Sequence, residues 1–348
     1  VRTQMALLNG IDLILSYPVR YCTSSAESFA SHAVKILNRL HCVDVLAFGS
    51  ECGDINTLTG IASVLAIEPE HYQASLRSNL KQRFSFPKAR SLAMPNFSDI
   101  LDGPNNILGI EYIKALIREQ SDITPYTHHR EGASHLDDES IQRLSSAAAV
   151  RRALATGNHI PGLDKALPPN TLPILKNDIG IYGITSEQDF SLILADRLWL
   201  IDSPRVLANF ADVTEDLAQS FLKNRNHFHD FNDFVDRIKT KNITRTHINR
   251  ALLHLLLGIR KEPEGMPDNL YAHVLGFKKD SEELLGIIKD NTDLPLVMRS
   301  SEAPSILSSE ALKLFNEEVR VSNLYETVRA QKSGEPFRNV MSKPLIVM

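Results

Sequence analysis

The chain is poor in the features that usually give a function away. Its 348 residues include 3 cysteines and 1 tryptophan. No apolar run approaches the roughly 20 residues of a membrane-spanning helix, and no signal-peptide pattern opens the chain. Cys22, Cys42 and Cys52 form no CxxC pair and cannot all be bridged, so reduced thiols and a cytoplasmic protein are expected. A net charge of −4 excludes nucleic-acid binding through overall charge; any such contact has to come from a local patch. There is no P-loop, GxGxxG, GxSxG or HExxH. Asn226-His227-Phe228-His229 lacks a third ligand at suitable spacing, and His128-His129 lacks carboxylate or cysteine partners nearby, so no metal site is expected. The residues alone assemble no complete catalytic constellation, and no internal repeat or low-complexity stretch appears.

What is present describes an ordinary globular protein, 43% apolar and 23% charged. The length favours two domains. Val1 to Asn9 reads as the end of a helix already under way, closed near Gly10, with nothing to cap its start. A segment upstream of Val1 is therefore expected. Ile11 to Leu15 suits a buried strand. Ser24 and Glu27 form a capping box for a helix with Phe29, Ala33, Ile36, Leu37 and Leu40 on one face. Val43 to Phe48 reads as a second buried strand, ending in Gly49-Ser50-Glu51, and Asp54 caps the next helix. This alternation predicts a parallel α/β sheet, in which ligands sit beyond the carboxyl ends of the strands. Gly49 occupies such a place, although a simple tight turn accounts for it equally well.

The stretch Pro104 to Tyr112, Pro-Asn-Asn-Ile-Leu-Gly-Ile-Glu-Tyr, opens a helix with Pro and two Asn, short side chains expected to cap backbone N–H groups. A helix start of this kind attracts anions, but it also suits any surface helix. Gly109 leaves room one turn in for a base or a neighbouring strand. Asp122 to His129 reads as an edge or irregular strand because of Pro125. It delivers Arg130 beside Gly132 and Ala133, a placement suited to phosphate or ribose and equally to a surface salt bridge. Ser145-Ser146 caps a helix that carries Arg151.

Residues 157–177 hold four prolines and two glycines and read as a linker. Beyond it the reading is mainly helical, over 187–201, 214–223, 231–239, 244–259, 281–288 and 308–329. Short strand-like runs at 271–277 and 294–298 interrupt the series. The expected division is therefore 1–157, an incomplete α/β domain; 158–178, a linker; and 179–348, a mainly helical domain. From Phe221 to Lys261 nine Lys and Arg stand against three Asp. Such a surplus is either a phosphate-backbone footprint or a solvated face.

Taken in order, Leu-Ile-Leu-Ser-Tyr-Pro (13–18), Ser-Ser-Ala-Glu-Ser-Phe-Ala (24–30), Phe-Gly-Ser-Glu (48–51), the 104–112 stretch, His-Arg-Glu-Gly-Ala (129–133) and Ser-Ala-Ala-Ala-Val-Arg (146–151) resemble the bacterial tRNA(Met) cytidine acetate ligase family. Thr-Lys-Asn-Ile-Thr-Arg-Thr-His-Ile-Asn-Arg (240–250), Val-Leu-Gly-Phe (274–277) and the terminal Pro-Leu-Ile-Val extend the likeness over the whole chain. The resemblance implies a Rossmann-like nucleotidyltransferase domain joined to a helical tRNA-binding domain. It also implies ATP and acetate as substrates, with Mg2+, and acetyl transfer to N4 of the wobble cytidine in elongator tRNA(Met). Gly49, Asn105 or Asn106, and Arg130 are then expected at ATP, with Arg151 a possible phosphate contact. Lys239, Lys241, Arg245 and Arg250 are expected to face tRNA.

One departure stands out. The family's His-x-Gly-His tetrad, which handles phosphate, is absent and belongs upstream of Val1, so residues 1–348 alone are not expected to form acetyl-adenylate. The competing expectations are a tRNA-binding protein without catalysis and a nucleotidyltransferase acting on a small cofactor precursor. Reading the genomic sequence directly upstream of Val1 separates the first of these from an enzyme.

Overall fold

A computed structural model describes residues 1–130, 147–155, 163–240, 243–262 and 268–348. The first half runs α1 (Arg2–Leu8), β1 (Leu13–Leu15), α2 (Ala26–Arg39), β2 (Val45–Ser50), α3 (Ile55–Ile67), α4 (Glu70–Lys81), α5 (Phe86–Ala93), α6 (Pro104–Arg118), β3 (Thr124–His129) and α7 (Ala147–Ala155). The second runs α8 (Thr171–Tyr182), α9 (Ser191–Trp199), α10 (Glu215–Asn224), α11 (Phe231–Ile238), α12 (Arg245–Leu257), β4 (Ala272–Phe277), α13 (Glu282–Asn291), β5 (Leu296–Val297), α14 (Ser309–Ser333) and β6 (Ile346–Val347). Part of the expected linker is thus helical: Pro173 lies in the first turn of α8, where its missing N–H costs nothing.

Strands β2 and β3 pair in parallel, from Val45 opposite Thr124 to Ser50 opposite His129. The crossover between them contains α3 to α6, the arrangement of a Rossmann-like α/β unit. Helix α6 packs on α2, α3 and β2. It lies close against β2 at Gly109, where a Cβ would sit 2.5 Å from the Phe48 ring. The space at Gly109 is therefore filled by the neighbouring strand. Leu58, Ile61, Leu65, Tyr72, Ile110 and Ile113 form the core behind this face. Against the expectation of a buried strand, β2 leaves Val45 53% exposed.

The first strand departs from expectation more sharply. β1 does not join the β2–β3 sheet; it pairs antiparallel with β4, Leu13 opposite Phe277. β4 in turn pairs in parallel with β5 and β6. The strand–helix–strand pattern of residues 11–48 reads locally like one parallel unit, but strand partners are chosen over long range and β4 was the available edge. One apolar cluster accordingly joins Tyr21, Ile36 and Leu40 to Leu270, Val297 and Phe315 across the two halves. A separate helical core runs from Leu194 to Ile259 and includes Phe221, Phe234, Leu252 and Leu255.

Candidate functional site

The carboxyl ends of β2 and β3 converge on a small cluster. Ser50 is fully buried; its Oγ lies 2.7 Å from Thr127 Oγ1 and accepts from the Gly53 N–H at 3.0 Å. The Arg130 N–H donates to the Ser50 carbonyl at 2.9 Å, which fixes the Arg130 backbone at the end of the strand. Gly49 lies directly beneath that side chain: a Cβ there would be 3.0 Å from Arg130 Cγ. Two residues separated by 81 positions are thus in contact at the place where parallel sheets hold ligands. His128, His129 and Arg130 are all exposed. Gly53 has a φ of +67°, and a Cβ there would meet His129 Cβ at 2.7 Å, so only glycine suits this turn.

The start of α6 is not capped by its own asparagines. Gly103 stands at the cap position and offers no side chain. The acceptor comes from Glu51, one residue beyond β2. Its Oε1 takes the Asn105 N–H at 3.1 Å and the Asn105 side-chain amide at 2.6 Å, and its Oε2 takes the Asn106 N–H at 2.7 Å. Burial pushes the Glu51 carboxyl up, but these donors outweigh it and hold the group below the usual carboxylate range. The anion expected at this helix start is therefore a residue of the chain. Asn106 is buried, its Oδ1 accepting from the Cys52 N–H at 2.8 Å and its amide donating to the Ile100 carbonyl at 3.1 Å. Asn105 is the half-buried member of the pair. Glu51 escaped attention in the sequence, yet a signal existed: a helix opening Gly-Pro-Asn-Asn has no Ser, Thr or Asp at its cap and needs an acceptor from elsewhere.

The basic residues of the second half are less free than their count suggests. Arg250 pairs with Asp212 at 3.1 Å, and Asp212 also lies 3.2 Å from Nδ1 of the buried His254. His254 Nε2 is 3.0 Å from Thr23 Oγ1, so this chain of contacts reaches the first half. Burial raises the Asp212 carboxyl, but hydrogen bonds from His254 and Arg250 prevail and hold it far below the usual range. Arg245 contacts Asp236 and donates to Asn232 Oδ1 at 2.9 Å, and Arg225 pairs with Asp202 at 2.7 Å. Asp202 and Asp212 lie before residue 221, outside the window that showed the surplus. Lys239 is exposed and holds no ion pair among the described residues. Lys241, Gly132, Ala133 and the Ser145-Ser146 cap lie outside the described residues. Arg151 is exposed on α7.

A model of the HIGH Nucleotidyl Transferase family matches residues 1–338. The tRNA(Met) cytidine acetate ligase of Thermoanaerobacter sp. (strain X514) is 36% identical over 332 residues, covering 93% of this chain and 81% of that protein. The chain belongs to the tRNA(Met) cytidine acetate ligase family. The Clostridium perfringens ligase (strain ATCC 13124) is 33% identical over 344 residues, with the same coverage. In three dimensions the chain matches Thermotoga maritima TmcAL in its apo form with a TM-score of 0.91 and 26% identity, covering 100% of this chain and 87% of that one. The same protein bound with alpha-thio ATP matches with a TM-score of 0.89 over 99% of this chain. The ligase family's α/β fold with a helical second half is thus the fold found here.

Among the described residues, no group of three or more His, Cys, Asp or Glu could hold a metal ion. The described residues therefore form no cage for Mg2+, an ion commonly held by substrate phosphates and water. No described helix is long and apolar enough to cross a membrane.

Proposed function

We propose that this chain carries the nucleotide and tRNA surfaces of an enzyme that activates acetate with ATP, giving acetyl-adenylate and pyrophosphate, and passes the acetyl group to N4 of the wobble cytidine in elongator tRNA(Met). The exchange chemistry calls for the His-x-Gly-His tetrad that residues 1–348 lack. One observation carries the reading: Gly49 and Arg130 touch at the carboxyl ends of β2 and β3, in a fold shared with a relative described as bound to alpha-thio ATP. In this reading Gly49 lines the adenosine, Arg130 contacts the phosphates, and Arg151 adds a further phosphate contact. Asn105 rather than Asn106 reaches the nucleotide, since both ends of the Asn106 amide are already engaged. Mg2+ travels with the phosphates. Residues 1–157 supply the nucleotide half and residues 179–348 the tRNA half, with Lys239, Lys241, Arg245 and Arg250 toward the RNA. A tRNA substrate places the reaction in the cytoplasm.

Physically, the first step gathers negative charge on the phosphates, which a guanidinium beside them stabilises. The second needs an RNA base drawn out of its stack. The test measures ATP binding and acetate-dependent exchange of pyrophosphate into ATP. Arg130→Ala is expected to weaken ATP binding by about tenfold. Residues 1–348 contain no His-x-Gly-His, so by themselves they are expected to bind ATP yet exchange at background. ATP binding indifferent to Arg130→Ala, or robust exchange without the tetrad, would overturn these assignments.

A further inference from the structure

A cleft of about 710 Å³ lies between the two halves, apart from the cluster around Gly49 and Arg130. Its walls include Glu27 of α2, Arg90 of α5, Glu111 and Lys114 of α6, and Thr246 at the start of α12. Three of the motif stretches that carry the family resemblance, 24–30, 104–112 and 240–250, meet here. A chain of charges forms one wall. Arg90 donates to Glu111 Oε1 at 2.8 Å, Glu111 Oε2 contacts Lys114, and Lys114 donates to Glu27 Oε1 at 2.8 Å. Arg90, Glu111 and Lys114 are all more than nine-tenths buried. Ions of this kind cost free energy to bury, and apolar residues of similar volume often do as well in a closed core. Along an open cleft they are useful as fixed donors and acceptors.

Glu27 is the accessible carboxylate. Both cations that reach it, Lys114 and Arg118, bond Oε1, which leaves Oε2 for a ligand. Phe86 lines the same cleft and is 54% exposed, a flat surface on which a base can stack. Asp102 and Ile107, which line the cleft, flank in sequence the Asn105 and Asn106 that hold Glu51. Resting on the RNA reading above, we propose that this cleft binds an extruded cytosine of the RNA. The exocyclic amine of the base donates to Glu27, and the spare N–H groups of Arg90 and Lys114 face its ring nitrogen and carbonyl. Uracil presents a carbonyl where cytosine has its amine, so it sets an acceptor against an acceptor and is rejected.

The test is fluorescence anisotropy with two short RNA hairpins, one with CAU in its loop and one with UAU. The wild-type protein is expected to prefer the CAU hairpin by about tenfold. Glu27→Gln, at an exposed position, is expected to reduce that preference to about twofold or less. Thr246→Trp, also at an exposed position, fills the cleft and is expected to weaken binding of both hairpins by about tenfold. Circular dichroism of each variant confirms the fold. An equal preference in wild type and Glu27→Gln, or binding untouched by Thr246→Trp, overturns the pocket and leaves the RNA reading standing. A wild-type protein that binds neither hairpin overturns both.

Discussion

Helices α6 and α12 begin with the same problem, four backbone N–H groups without partners, and resolve it differently. The first turn of α12 is capped by its own residue: Thr244 Oγ1 accepts from the His247 N–H at 3.3 Å. That of α6 is capped by Glu51, more than fifty positions earlier in the chain. A local cap stabilises one helix. A distant carboxylate also ties β2 to α6 and fixes the loop between Gly49 and Asp54. The two helices then exchange strategies further along. α6 meets β2 through an apolar contact, Gly109 against the Phe48 ring, whereas α12 is anchored to the 202–214 segment by Asp212 on Arg250 and His254. Helix α6 is thus joined to β2 by neutral packing and one charged brace, and α12 to the 202–214 segment by an ionic anchor, with a neutral cap at its start.

That contrast can be broken at three points. The largest effect is expected at Asp212→Asn, which leaves Arg250 and buried His254 without their carboxylate and should cost about 3 kcal/mol in urea unfolding. The sign of its pH dependence follows from the lowered carboxyl. The wild-type anchor contributes fully above the ordinary carboxylate value of about 3.9 and is lost as pH falls below it toward the folded value. The variant should lose this acid sensitivity; an unchanged acid limb would remove Asp212 as the anchor.

Glu51→Gln should cost about 2 kcal/mol, because a side-chain amide cannot accept at both ends and one α6 donor loses its partner. Glu51 is likewise held below its usual value, so its contribution is present at neutral pH and lost in acid. A double-mutant cycle with Asn105→Ala should show coupling; strict additivity would mean the brace is not formed. The smallest effect is expected at Thr244→Ala, about 1 kcal/mol for a lost cap. If Thr244→Ala melted at a lower temperature than Glu51→Gln, the local cap and not the distant brace would be the stronger device.

The residues with local roles were legible. Asp54 caps its helix as expected, its Oδ1 accepting from the Asn56 N–H at 3.0 Å. Thr214 and Ser308 head helices where apolar periodicity begins. Local patterns failed where a side chain had a better partner at long range. The expected capping box of Ser24 and Glu27 does not form. Ser25 takes the cap at 3.3 Å, while Glu27 turns to Lys114 and Arg118 of α6. The basic surplus of 221–261 is smaller on the surface than in the count, since Arg225 and Arg250 are met by aspartates from before the window.

Sequence alone determined the alternation of the first half, the helical character of the second, and the residues that carry the family likeness. These depend on periodicity, turn chemistry and motif order, all written along the chain. Tertiary structure decided that β1 pairs with β4, that Gly49 touches Arg130, and that Glu51 occupies the start of α6. It also placed Glu27, Glu111 and Thr246 around one cleft. Each of these is a contact between positions far apart in the chain, decided by which edge, donor or charge the completed fold brings within reach.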